Sequence, residues 1–304
     1  YTAKCNHPIT CDAKNLLVGT EEGLYVLNRS DQGGTLEKII SRRSVTQIWV
    51  LEENNVLLMI SGKKPYLYAH PLSGLREKDA LGSARLVIRK NVWVKIEDVK
   101  GCHLFAVVNG KRILFLCAAL PSSVQLLQWY NPLKKFKLFK SKFLKKLIVP
   151  VPLFVLLTSS SFELPKICIG VDKNGFDVVQ FHQTSLVSKE DLSLPNLNEE
   201  TSKKPIPVIQ VPQSDDELLL CFDEFGVFVN LQGMRRSRKP ILTWEFMPEY
   251  FAYHEPYLLA FHSNGIEIRS IETGELLQEL ADREARKIRV LGSSDRKILV
   301  SSSP

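Results

Sequence analysis

Six histidines, six cysteines and several adjacent carboxylates are the side chains in this sequence with the means to do chemistry. Cys5, His7 and Cys11 come nearest to metal-ligand spacing, but a structural zinc takes four ligands and no second Cys/His pair is spaced to complete the set. His7, His70, His103, His182, His254 and His262 fall near hairpin ends, and no Gly-x-Ser-x-Gly elbow or catalytic-cysteine context accompanies them. The pairs Glu21/Glu22, Asp215/Asp216 and Asp223/Glu224 have the composition of a two-carboxylate glycosidase site. Turn solvation accounts for the first two, and the third lies between strands, where it can orient the following turn. "VGTEEGLY" (18–25) has the glycines of a phosphate loop. It lacks the Lys-Ser/Thr that should follow, puts two carboxylates where phosphate would sit, and enters a strand where a helix N-terminus is needed. "GKK" (62–64) and "NGKR" (109–112) fail on the same grounds. These readings lead to a chain that is not an enzyme, with no catalytic residue, no cofactor and no metal.

Cationic surface is what remains. "NPLKKFKLFKSKFLKKL" (131–147) carries Lys134, Lys135, Lys137, Lys140, Lys142, Lys145 and Lys146 among Phe136, Phe139 and Phe143. That pattern suits anionic lipid headgroups, an acidic protein face, or a nucleic-acid backbone with stacking aromatics. It equally suits an outer strand with apolar residues inward and lysines guarding the edge. "MRRSRKP" (234–240) presents Arg235, Arg236, Arg238 and Lys239 after a glycine turn, as forks for a carboxylate or phosphate partner or as a solvated turn. The aromatic run "WEFMPEYFAYHEPY" (244–257) is expected to pack between strand units.

The elements that must position these residues share one grammar. "LLVGTEEGLYVLN" (16–28), "VLLMISGKKPYLYAH" (56–70), "LFAVVNGKRILFLCAAL" (104–120), "ICIGVDKNGFDVVQFH" (167–182), "LLLCFDEFGVFVNLQG" (218–233) and "LLAFHSNGIEIRSIETG" (258–274) each run from an apolar strand through a polar turn into an alternating strand. Their marker glycines recur at intervals near the roughly 40–50 residues of a four-stranded propeller blade. The longest interval is expected to hold extra material, a further strand and a basic connection at 123–147. Upstream strands are expected in "VTQIWVLEENN", "VWVKIEDVKG", "VPLFVLLTSSS", "IPVIQVPQSDD" and "WEFMPEYFAYHEP", each ahead of the hairpin that follows it. Stretches 74–91 and 185–207 read as exposed loops, and 279–287 as at most a helical turn or two. The chain has 304 residues, 44 % of them hydrophobic, enough for a large core. The expectation is an all-β, seven-bladed β-propeller occupying 1–304 as a single domain, its ring closed by strands from both termini.

Net charge is +7, a moderate bias that permits an acidic partner without requiring one. No run approaches the ~18 apolar residues of a membrane span, the opening "YTAKCNHPIT" has no signal-peptide core, and cysteines lie in apolar runs as reduced thiols do, so a cytoplasmic setting is expected.

The series "LLVGTEEGLYVLN", "NNVLLMISGKKPYLYAHPLSGL", "DVKGCH", "SSVQLLQWYNPLKKF", "LPKICIGV", "LLLCFDEFGVFVNLQG" and "GIEIRSIETGELLQEL" resembles a citron homology domain over nearly the whole chain. Its first half is similar to the branch found in germinal-centre-type kinases, and "CFDEFGVFVNLQGMRRSRKPILTWEF" to the branch in citron kinase and Rho exchange factors. Such a mixture is expected of a member near the centre of the family or of a consensus sequence. The resemblance implies a propeller that serves as a non-catalytic protein-interaction scaffold, with Rap- or Rho-type small GTPases as leading partners. The lysine-rich stretch from Lys134 to Lys146, read on its own, gives an anionic membrane surface as the alternative partner. An enzyme with its site in a central channel is the further alternative, for which no convergent acidic, His or metal-ligand set is seen in the sequence. Nucleic acid is not expected, and a monomer is favoured. Arg235, Arg236, Arg238, Lys239, Lys134, Lys135, Lys137, Lys140 and Lys142 are the candidate contact residues.

Overall fold

In the computed structural model the turn inside "VGTEEGLY" closes a β-hairpin. The Thr20 hydroxyl accepts the N–H groups of Glu22 and Gly23, both at 3.1 Å, and Thr20 N–H donates to Gly23 O at 2.8 Å. Position 23 requires glycine because a Cβ there would lie 2.0 Å from the Ile40 carbonyl oxygen. The structure describes residues 5–10, 15–28, 36–72, 76–78, 84–86, 93–109, 113–143, 154–157, 166–171, 175–179, 184–186, 205–210, 217–230, 234–236, 238–263, 265–281, 286–294 and 297–303.

The repeated grammar folds as a succession of antiparallel sheets. β1 (Cys5–Thr10), β2 (Asn15–Thr20), β3 (Leu24–Asn28) and β4 (Leu36–Ile40) pair in sequence order. In the next sheet β5 (Gln47–Leu51), β6 (Val56–Ser61) and β7 (Tyr66–Pro71) pair consecutively; after a two-stranded hairpin of β8 (Arg76–Lys78) and β9 (Ala84–Leu86), β10 (Val94–Lys95) returns to the outer side of β7. The third sheet holds β11 (Leu104–Asn109), β12 (Leu114–Leu120), β13 (Ser123–Tyr130) and β14 (Lys135–Phe143) in that order. β15 (Phe154–Leu157), β16 (Lys166–Val171), β17 (Gly175–Val179) and β18 (Thr184–Leu186) form the fourth; β19 (Pro205–Gln210), β20 (Glu217–Phe222), β21 (Phe225–Asn230) and β22 (Leu242–Thr243) the fifth; β23 (Tyr250–His254), β24 (Tyr257–His262), β25 (Gly265–Ser270) and β26 (Leu276–Ala281) the sixth. β27 (Arg286–Ser294) and β28 (Lys297–Ser303) pair with each other. Four-stranded meanders in series are the blade unit of a propeller.

Several sequence expectations are corrected. The described residues form fewer than seven four-stranded sheets: there are six, and β27–β28 is only a pair. Ring closure by a sheet of mixed termini is not seen among them either, because β1 is used by its own neighbour, with Ile9 opposite Leu17. "VWVKIEDVKG" does not open the third sheet; its strand pairs backward, Val94 opposite Ala69. The hairpin at 104–120 is the first pair of that sheet instead of its centre, so 123–143 is the rest of the sheet and not extra material. Stretch 74–91 contains the β8–β9 hairpin; of 279–287, residues 279–281 end β26 and 286–287 begin β27, and the rest lies outside the described residues.

The chain divides into two compact units, one of 1–105, 115–120 and 124–139, the other of 106–114, 121–123 and 140–304. In the first, Leu17, Leu24, Val26 and Ile40 pack against Ile48, Leu57 and Met59, one sheet face on the next. In the second, Leu219, Cys221 and Phe228 meet Phe251, Leu258 and Ala260 in the same way. Strands β6, β20 and β21 are buried along their whole length, as strands covered on both faces must be.

Candidate functional site

The lysine-rich stretch begins at a fixed turn. Trp129 Nε1 donates to Asn131 Oδ1 at 2.7 Å and opens the 3-10 turn Asn131–Leu133; Lys134 then takes a left-handed conformation (φ 47°, ψ 45°) with its N–H on Asn131 O. From Lys135 the chain runs as β14, with Phe136 buried edge-on against Trp129 at 5.0 Å. Lys134, Lys135 and Lys137 are exposed, and the Lys137 ammonium lies 4.2 Å from the Tyr130 ring centroid. Lys140 is half-buried further along; the side chain of Lys142 and residues Lys145 and Lys146 lie outside the described residues. The expected alternation holds for Lys135, Phe136 and Lys137 and then fails. Leu138 is 42 % and Phe139 44 % exposed, because an outermost strand has little beyond it to cover an apolar side chain.

Along this strand lies a cleft of about 500 Å³ within the first unit. Trp129, Phe136, Ile96 and Val56 give it apolar walls, and Lys95, Lys134, Lys135 and Lys137 stand with Glu97 and Asp98 around it. Lys95, which also lies 4.7 Å from the Tyr66 ring, was not among the sequence candidates. The signal for it was the alternation of "VWVKI", read as a strand but assigned to the wrong sheet.

The arginine set is built on β21. Asn230 N–H donates to Met234 O at 2.9 Å, Met234 N–H returns to Asn230 Oδ1 at 2.8 Å, and Arg236 N–H donates to Phe228 O at 2.9 Å, so the chain doubles back along the strand. Val229 and Arg235 form an isolated antiparallel bridge. Arg236 and Arg238 are exposed; Arg235 and Lys239 are half-buried, with the Lys239 ammonium 5.4 Å from the Phe228 ring. The structure thus brings Lys134, Lys135 and Lys137 to one cleft, and Arg235, Arg236, Arg238 and Lys239 to one segment.

The groups with chemical potential are committed to packing. Burial pushes the Cys102 thiol up to about 12 and holds those of Cys117 and Cys221 well above the usual range, so all three stay protonated and poorly nucleophilic near neutrality. His70 is buried with Nδ1 2.7 Å from Pro71 O and its ring 4.6 Å from that of Trp93; His262 stacks on Phe246 at 4.6 Å; burial lowers the pKa of His103. Glu22 accepts the Tyr25 hydroxyl at 3.1 Å and Glu21 the Ser44 hydroxyl at 3.2 Å, as turn residues. The side chains of Cys5 and His7, with Cys11, His182, Asp215 and Asp216, lie outside the described residues. Among those described, no group of three or more His, Cys, Asp or Glu could hold a metal.

Sequence reasoning also missed a buried ion pair. In β25 the alternation is inverted: Glu267 and Arg269 point inward while Ile266 and Ile268 are half-buried. Glu267 Oε2 accepts Arg269 Nε at 3.0 Å and Nη2 at 2.8 Å, while its other oxygen accepts the N–H groups of Glu245 and Phe246, both at 3.0 Å.

The family model described as CNH domain matches residues 12–293. Serine/threonine-protein kinase mig-15 of Caenorhabditis elegans is 34 % identical over 313 residues, covering 100 % of this chain and 28 % of the kinase. RHO1 GDP-GTP exchange protein 2 of Saccharomyces cerevisiae is 36 % identical over 322 residues, covering 98 % of this chain and 22 % of the exchange protein. The chain therefore spans less than a third of either relative. Among solved structures, the AfRom2 CNH domain superposes with a TM-score of 0.71 at 26 % identity, covering 99 % of this chain and 91 % of that one. The Kluyvelomyces marxianus Hsv2 structure gives 0.56 at 9 % identity, covering 99 % and 89 %, a likeness of fold alone. Among the described residues no helix is long and apolar enough to cross a membrane.

Proposed function

This chain belongs to the citron homology (CNH) domain family, a non-catalytic β-propeller module, and from that premise we propose that it is a regulatory interaction domain that binds protein partners. The proposal extends to residues 1–304 acting as one domain in the cytoplasm, as a monomer, with Rap- or Rho-type small GTPases as leading partners. The observation that carries it is the pairing of exposed cations with exposed apolar side chains along β14 and in the turns that precede it and follow β21. Lys134, Lys135 and Lys137 stand beside Leu133 and Leu138, and Arg236 and Arg238 beside Met234. Fixed sheets keep such groups preorganised, so less ordering entropy is lost on association. Its similarity to kinases and to a Rho exchange protein, named for activities outside the matched segment, supports a shared accessory role.

Titration calorimetry against Rap- and Rho-type GTPases, each loaded with GDP or a GTP analogue at two salt concentrations, tests the partner class. Binding to one nucleotide form, weakened at high salt, is expected, because exposed charges act through screened, long-range attraction. Replacing Arg236 and Arg238 with Glu is expected to weaken that binding about tenfold or more. A folded domain silent across the panel overturns the GTPase assignment. Binding to phosphatidylserine vesicles with the same dependence on these arginines would put a membrane surface in its place.

A further inference from the structure

We propose that the cleft between β10 and β14 is the docking site for an extended acidic segment of a partner protein, anchored by one large apolar side chain. This rests on the reading of the domain as a protein-interaction module and names the chemistry of one of its partners. The cleft is lined by the two residues of β10 with residues 96–98 after it, and by residues 135–138 of β14 with Leu133 and Lys134 before it, so it lies along two short stretches of strand edge and the turns beside them. Both edges are terminal. β10 ends the order of its sheet and β14 ends that of the next, and among the described residues no strand pairs with the outer side of either. A row of edge N–H and C=O groups is a template for an added strand, and recognition by strand addition takes its specificity from pockets for alternate side chains.

The charge and polarity of the cleft select what is added. Lys95, Lys134, Lys135 and Lys137 outnumber Glu97 and Asp98, which favours an acidic segment. Trp129 and Phe136 offer an aromatic wall, and a volume of about 500 Å³ is in the range that receives side chains or small ligands. Lysines that merely guard an edge would make it polar throughout. This edge instead exposes Val94 at 59 %, Leu133 at 53 % and Leu138 at 42 % beside its lysines. Lys134 and Asp98, both lining the cleft, also hold positive φ angles of 47° and 65°, conformations that cost energy in a non-glycine residue and cluster at binding sites.

The test is fluorescence anisotropy with the full 304-residue chain and a labelled eight-residue peptide carrying glutamate at alternate positions around one central phenylalanine. Micromolar, salt-sensitive binding is expected, lost when the phenylalanine becomes serine. Lys135→Glu with Lys137→Glu should weaken it at least tenfold. Lys134→Gly, which keeps the left-handed turn and so the fold, should weaken it about threefold. No binding, or binding indifferent to these substitutions in a folded domain, overturns the proposal. So does retention of phosphatidylserine vesicles through the same lysines when the peptide does not bind, since the ligand is then a lipid surface. Failure here with nucleotide-dependent GTPase binding intact removes the cleft alone; peptide binding without GTPase binding removes the GTPase assignment alone.

Discussion

Glu267 and Arg269 are the most deeply buried charges among the described residues, with side chains 1 % and 8 % exposed, and the pair shows how an all-β core tolerates them. Glu267 has four donors, two from the guanidinium and two from backbone N–H groups at 245 and 246, so each oxygen is satisfied. The arginine extends to Gly274 O at 3.4 Å and thereby ties β25 to the turn that follows it. Arg269→Ala would strand a buried carboxylate and is expected to cost about 3–5 kcal/mol in urea unfolding, and Glu267→Gln, which keeps an acceptor for Glu245 and Phe246 but turns an NH2 toward the guanidinium and leaves that cation unpaired, should cost a comparable amount. Losses below about 1 kcal/mol for both variants would mean that water replaces the pair and that the strand owes it nothing.

At the level of elements, sheets are joined by clasps as well as by apolar faces. Gln47 Nε2 donates to Phe105 O at 2.7 Å and Gln47 Oε1 accepts Phe105 N–H at 2.9 Å, so one side chain of β5 gives β11 both bonds that a backbone partner would. Gln47→Leu removes both partners and is expected to cost about 2 kcal/mol and to speed hydrogen exchange at the Phe105 amide; an unchanged exchange rate would mean the clasp is already open in solution. Hairpins were the legible part of the fold. β2–β3, β6–β7, β20–β21 and β24–β25 lie where alternation and turn residues put them, since both signals are local. Partner choice between distant strands is not local, which is why Val94–Lys95 was given to the wrong sheet and why the basic strand's apolar residues were expected inward. The lysines and arginines of the candidate faces were visible as charge runs. The cleft was not, because it joins Lys95 to Lys134 only after β10 turns back on β7. The inward charges of β25 did leave a trace, a Glu and an Arg two residues apart in an otherwise apolar strand.

Across the whole molecule, charge and buried thiols act on stability in opposite directions as pH rises. With +7 at neutrality and a pI of about 9.0, raising the pH toward 9 relieves self-repulsion and favours the compact state. Cys102, with its thiol pushed up to about 12 by burial, and Cys117 and Cys221, raised for the same reason, stay protonated in the fold well above their usual 9.0. In the unfolded chain they ionise near 9, so from there upward the folded state binds more protons and stability must fall with pH. The slope is on the order of 1 kcal/mol per pH unit for each thiol once the unfolded form is ionised. Urea unfolding between pH 8 and 10.5 should therefore show stability level or rising to about 9 and declining beyond it. Replacing all three cysteines with alanine lowers stability at every pH through the cavities left, and it should flatten the decline. A decline of unchanged steepness in that variant would assign the alkaline limb to lysine and tyrosine titration, and would mean these thiols are reached by water in the folded domain.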